Sequence, residues 1–182
     1  MVRAAFVSDT ARQTVTIPNY SRAAVLVPLV ETDSSLQLLF TMRTNSVETH
    51  KGQISFPGGM VEKDDNDLIH TAVREAEEEI GLPSSAIEIV GMLDDMATPT
   101  GFIITPVVGT IRQLPPLAPN PDEVEEVFQV PLAFFLEKEN GRSEQRELKG
   151  KMREIWFYEH EGKTIWGVTA FIIRSLVSKL RN

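Results

Sequence analysis

The sequence contains no cysteine, which excludes disulfides, thiolate catalysis and cysteine-ligated zinc. Histidine is scarce, and His50, His70 and His160 lack the spacing of a zinc site. Positive charge is in the minority: 18 Lys and Arg stand against 26 Asp and Glu, for a net charge of -8. That balance argues against a nucleic-acid surface or a polybasic membrane contact. It leaves phosphate-bearing small molecules open, because a bound metal inverts local charge. The longest apolar run, residues 23–30, is broken by Pro28 and is too short to cross a bilayer. The N-terminal stretch MVRAAFVSDTARQTVTIPNYSR lacks the apolar core of a signal peptide. A cytoplasmic protein is therefore expected. No GxxxxGK[ST] phosphate loop and no internal repeat occur. Residues 64–67 open like a calcium loop, but the glycine expected further on is missing.

What is present fits a globular protein. The 182 residues are 42% hydrophobic and 24% charged, consistent with a single domain over 1–182 in which residues 1–20 form an N-terminal extension. Residues 23–30 (AAVLVPLV) and 36–42 (LQLLFTM) read as buried strands around a turn at 33–35. Strands are also expected at 87–92, 102–111, 124–131 and 154–159, with Pro106 marking a bulge or an edge. Glu161-Gly162 reads as a hairpin turn. Residues 168–180 repeat apolar side chains at helical spacing and end in basic residues, as the helix dipole favours. Residues 113–122 hold four prolines and read as a shaped surface wall. Strands and helices mix without strict βαβ alternation. The expected fold class is α/β (mixed α+β), a mixed β-sheet between helices.

The stretch from Arg74 to Leu82 carries the most chemistry. A helix is expected over 68–80, with Asn66 or Asp67 as cap and Gly81 as stop. Four carboxylates, Glu75, Glu77, Glu78 and Glu79, crowd its last turns. Like charges there repel each other and oppose the helix dipole. At about 100° per residue, Glu75, Glu78 and Glu79 share one wedge, while Ile69, Ala72, Val73, Ala76 and Ile80 form an apolar face. Glu77 points to solvent. A solvated acidic face is the plain alternative. The Phe56-Pro57-Gly58-Gly59 loop upstream favours a cation site, since glycines admit close backbone approach and hard divalent cations take oxygen ligands.

Residues 59–82 resemble the Nudix box of the diphosphate hydrolases. Arg74-Glu75, Ala76, Glu78-Glu79, Gly81 and Leu82 match its second half. The spacing from Gly59 to Arg74 is one residue longer than usual, so the first glutamate of the box falls on Asp65 or Asn66. That insertion, with residues 39–44 (LFTMRT) and 50–59 (HKGQISFPGG), is similar to the coenzyme A pyrophosphatase branch. Segments 122–124, 130–132 and 165–170 also resemble it. Glu48 stands where that branch often has arginine, which keeps ADP-ribose, NADH, nucleoside triphosphates and dinucleoside polyphosphates as alternative substrates. A non-catalytic binding module would be expected to have lost glutamates that this chain retains.

The resemblance implies a Nudix-type α/β/α sandwich and hydrolysis of a nucleoside diphosphate-linked small molecule. Coenzyme A would yield 3′,5′-ADP and 4′-phosphopantetheine. It implies Mg²⁺ or Mn²⁺ held by Glu75, Glu78, Glu79 and the Gly58 carbonyl. Glu78, or Glu123 from the loop after the prolines, is the implied general base, and Arg74 orients the glutamates. Arg43, Lys51, Gly58 and Gly59 are implied to meet substrate, and His50 is read as a loop hydrogen-bonding residue. A homodimer is among the expected assemblies.

Overall fold

Near-continuous apolar runs build the centre of the protein. The computed structural model describes residue 6 and residues 12–44, 52–148 and 150–181. Strand β1 (Ser21–Glu31) lies inside the main sheet. Ala24, Leu26 and Val30 point to one apolar cluster, Val27 and Leu29 to another. A strand buried on both faces needs the near-continuous aliphatic run found here. β2 (Leu36–Arg43) pairs antiparallel with β1. β7 (Phe102–Ile111) pairs parallel with it on the other side. β3 (Ile54–Ser55) and β8 (Val124–Pro131) add to β2, and β4 (Gly58–Met60) to β1. β5 (Glu88–Met92) and β6 (Met96–Ala97) add to β7. The sheet is therefore mixed.

Helix α1 (Leu68–Ile80) covers one face through Ala72, Ala76 and Ile80. The other face is covered by α2 (Leu132–Leu136), α3 (Gly167–Arg181) and a second sheet. That antiparallel sheet consists of β9 (Gly141–Leu148), β10 (Lys151–His160) and β11 (Lys163–Trp166). The mixed sheet thus lies between helices, as expected.

The prolines correct the strand reading. Pro106 is not at an edge, because β7 runs between β1 and β5. Its carbonyl accepts from Leu93 N–H at 2.9 Å, between the end of β5 and the start of β6. The missing proline N–H faces that break, where no ladder bond is lost. Pro28 follows the same rule on β1. Leu26 N–H donates to Pro57 at 2.8 Å, and two residues on, Pro28 faces the handover from β4 to β2. β9 and α2 lie between the strands expected at 124–131 and 154–159, where the sequence reading names no element. The Glu161-Gly162 turn has φ of 49° and 78°, the left-handed pair that tight hairpins require.

The N-terminal segment is anchored by Asp95, whose side chain is fully buried. Arg12 meets it at 2.9 Å, Arg22 at 3.1 Å, Thr105 Oγ1 at 2.6 Å and Val15 N–H at 3.0 Å. Burial raises its pKa, but these donors outweigh it and hold the carboxyl below its ordinary range.

Candidate active site

The site is assembled around α1. Its first turn is capped by Asp67, whose carboxylate accepts from His70 N–H at 2.7 Å. Its last turn closes at Gly81, with φ of 67°. Gly81 N–H donates to Glu77 at 2.9 Å and Leu82 N–H to Ala76 at 3.3 Å, the paired bonds of a glycine-terminated helix.

Arg74 gathers the acidic groups on its side. Its Nε and Nη2 donate to the two oxygens of Asp65 at 3.0 and 3.1 Å. Nη1 donates to Glu75 and Glu78, both at 3.0 Å, and Nη2 also reaches the Met60 carbonyl at 3.2 Å. Asp65 is 1% exposed and also accepts from Glu62 N–H and Thr71 Oγ1, both at 2.9 Å. The Arg74 hydrogen bonds, foremost, hold Asp65 far below the carboxylate range, and Asp65 raises the arginine further in turn. Of the two positions left open for the first glutamate of the box, Asp65 is thus the one that grips Arg74. Asn66 N–H instead donates to His70 Nδ1 at 3.1 Å.

The three carboxylates of the wedge do not form a single cluster. Glu75 and Glu78 share Arg74, and Glu78 remains 59% exposed. Glu79 turns inward, is 7% exposed, and lies 4.0 Å from Arg43 Nη1. The two arginines divide the like charges between them. Glu77 is exposed, as its angular position implies. Among the described residues, no three His, Asp or Glu side chains form a ready-made metal cage.

Glu79 is the unusual member. Its Oε2 is buried with no hydrogen-bond partner. Burial pushes its pKa up to about 8; Arg43 and the Gly58 N–H oppose this, while the charges of Glu75 and Glu123 add to it. Glu75 is raised as well, first by burial and against the pull of Arg74. These residues fit a hard divalent cation, since the donors are all oxygens and Glu79 Oε2 is buried with no hydrogen-bond partner.

The glycines make room for the protein's own groups. A Cβ on Gly59 would lie 2.3 Å from Glu75 Oε1, and one on Gly58 would lie 2.4 Å from the Ala24 carbonyl. The substitutions should therefore differ. Gly59→Ala meets a movable side-chain end and is expected to cost about 1 kcal/mol or less, yet to reduce turnover at least about tenfold by displacing Glu75. Gly58→Ala meets fixed backbone and is expected to cost about 2–3 kcal/mol. Denaturation midpoints and turnover of both variants check this, and equal effects would contradict it.

The proline loop is docked against the helix end. Ala118 N–H donates to Ile80 at 3.0 Å and Asn120 N–H to Glu79 at 2.8 Å, occupying carbonyls that a helix end leaves unpaired. Glu123 follows, half-buried and close enough to Glu75 and Glu79 to raise both. Sequence reasoning identified the loop as a wall but not its attachment, which is a tertiary contact without local signature. Arg43 sits on β2 beside Glu79. Lys51, His50 and Glu48 lie outside the described residues.

The sheet, the glycine loop and the Arg74-centred carboxylates are the features of the Nudix hydrolases, and the NUDIX domain family model matches residues 20–162. The chain belongs to this family, whose hydrolases act on diphosphate bonds. Over 164 residues it is 40% identical to the uncharacterized Nudix hydrolase NudL of Escherichia coli O7:K1, covering 89% of this chain and 84% of the relative. The NudL of Shigella boydii serotype 18 matches to the same extent. Among solved structures, a MutT/nudix family protein from Enterococcus faecalis superposes with a TM-score of 0.56 at 18% identity, covering 92% of this chain and 66% of that one. A Caenorhabditis elegans Ap4A hydrolase gives a TM-score of 0.53 at 15% identity, covering 61% and 80%. At these identities the likeness shows the fold alone.

Proposed function

We propose that this Nudix hydrolase cleaves the diphosphate of coenzyme A or its derivatives, with Mg²⁺ or Mn²⁺, to 3′,5′-ADP and 4′-phosphopantetheine. The observation that carries the reading is the buried, unpartnered Glu79 oxygen beside Glu75 and Glu123, next to the glycine loop. The coenzyme A assignment is supported by the resemblance of residues 39–44 and 50–59 to that branch.

Glu75, Glu78, Glu79 and the Gly58 carbonyl would hold the cation. When bound, such a cation neutralises the diphosphate and lowers the pKa of a coordinated water. The chain supplies the rest. Arg74 fixes Glu75 and Glu78 from one side, and Asp65 fixes Arg74. Glu123 takes the proton of the water that attacks phosphorus. Glu78 is less suited to that task, being largely exposed and committed to Arg74. Gly58 and Gly59 leave room for β1 and for Glu75 beside the substrate, and Arg43 and Lys51 offer positive charge to its phosphates. The net charge of -8 supports a small-molecule partner over nucleic acid or membrane, and the cytoplasm is the proposed location. A homodimer completes the reading, to be checked by sedimentation.

A second substrate reading rests on Glu48, an acid where the branch often has a base. A substrate panel with Mg²⁺ or Mn²⁺, read by mass spectrometry, separates the two. The expected result is conversion of coenzyme A to the two named products. Intact coenzyme A beside turnover of ADP-ribose, NADH or a dinucleoside polyphosphate would move the assignment to that substrate.

A further inference from the structure

Asn120 ties the loop bearing Glu123 to the helix bearing Glu79. Its backbone N–H donates to the Glu79 carbonyl at 2.8 Å. Its carbonyl accepts from Glu123 N–H at 3.1 Å and Val124 N–H at 2.8 Å. Its side chain splits its two functions. Oδ1 accepts from Asp122 N–H at 3.1 Å, and Nδ2 donates to Glu123 Oε1 at 3.3 Å. The backbone bonds hold the loop on the helix, and the side-chain amide acts on the carboxylate itself.

Glu123 needs such a donor. It lies within the field of Glu75 and Glu79, and all three carry the same sign when ionised. A carboxylate free to rotate turns away from two like charges and into solvent. We infer that Asn120 is a positioning residue whose side-chain amide holds the Glu123 carboxylate towards Glu75 and Glu79, making the proline-rich loop and α1 one catalytic unit. The inference rests on the proposed function, in which Glu123 accepts the proton. Asn120 touches neither substrate nor reacting atoms in this role and acts through Glu123.

Two substitutions isolate the amide. Asn120→Ala removes the side-chain bonds and leaves the backbone bonds in place. Asn120→Asp keeps the shape and the acceptor facing Asp122, but removes the donor to Glu123 and adds a like charge. The test is a double-mutant cycle on metal-dependent hydrolysis with N120A, N120D, E123Q and the doubles N120A/E123Q and N120D/E123Q. Each Asn120 variant is expected to lower kcat about tenfold, the scale of one lost hydrogen bond to a charged group, with KM within about twofold. In the E123Q background the same changes are expected to alter kcat less than about twofold, because the group they act through is gone. A merely structural role would lower kcat alike in both backgrounds. Additive losses in the doubles, or wild-type kcat in N120A and N120D, overturn the inference while the functional reading stands. Absence of metal-dependent hydrolysis by the wild type, or a wild-type rate in E123Q, overturns that reading and the inference with it.

Discussion

Glu79→Gln is expected to remove nearly all turnover while making the metal-free protein more stable at alkaline pH. The first effect follows from the proposed role. A ligand that helps a cation stabilise developing charge contributes several kcal/mol, which corresponds to roughly two to three orders of magnitude in rate. The second follows from burial. The folded-state pKa of Glu79 is about 8 against an ordinary 4.5. Between those values the folded protein binds a proton that the unfolded chain releases, so stability falls as pH rises through that window. Above it the folded protein must hold an ionised, largely buried carboxylate. Discounted for coupling to its neighbours, the cost is on the order of 2–4 kcal/mol. Gln keeps the size and removes the charge. Denaturation of chelator-treated protein near pH 6 and pH 9 should show a gap between variant and wild type that widens with pH. A variant less stable than wild type at pH 9, or one that keeps its turnover, would contradict this account. The trade of stability for function is the usual one at a strained or charged site.

Arg74→Ala should destabilise the protein by about 1–3 kcal/mol, the scale of losing several hydrogen bonds to charged groups near the surface. It leaves Asp65, which is 1% exposed, charged and without its partner. Removing one member of a buried pair costs far more than the pair itself contributes. Arg74→Lys should rescue only part of the loss. A lysine keeps the charge but cannot span two oxygens of Asp65, two further carboxylates and the Met60 carbonyl. The pH dependence is opposite to that of Glu79. Asp65 has its pKa lowered by Arg74, so its contribution is present above the ordinary aspartate pKa and is lost as pH falls through the folded-state value. Denaturation at pH 7 measures the first claim, and a smaller gap between wild type and Arg74→Ala at pH 3 than at pH 7 shows the start of the acid loss. A loss under about 1 kcal/mol at pH 7 would mean that the pair is not the fulcrum of the site.

The sequence was most legible where structure is local. The helix over 68–80, the Gly81 stop, the strand at 102–111 and the hairpin at Glu161-Gly162 all depend on periodicity or turn chemistry within a few residues. What escaped depends on partners distant in the chain. β4 is a short glycine-containing strand that exists because β1 lies beside it. β9 is highly charged and pairs because β10 offers it an edge. Pro106 reads as a bulge or an edge residue until the break between β5 and β6 is known. At the site, angular spacing placed Glu75, Glu78 and Glu79 on one side of α1 and set Glu77 apart. It could not show that Arg74 and Arg43 would draw the three in different directions. The link between Asp65 and Arg74 spans the inserted spacing that makes the box irregular, and the count along the chain left it open.

The most direct measurement is a titration of Mn²⁺ onto the chelator-treated protein, followed by electron paramagnetic resonance. The account predicts saturable binding by the wild type and a loss of at least about tenfold in affinity for Glu79→Gln, since losing even an outer-shell partner of a ligand costs about that much. Binding by Glu79→Gln as tight as that of the wild type would contradict the assignment of the α1 carboxylates as the metal site.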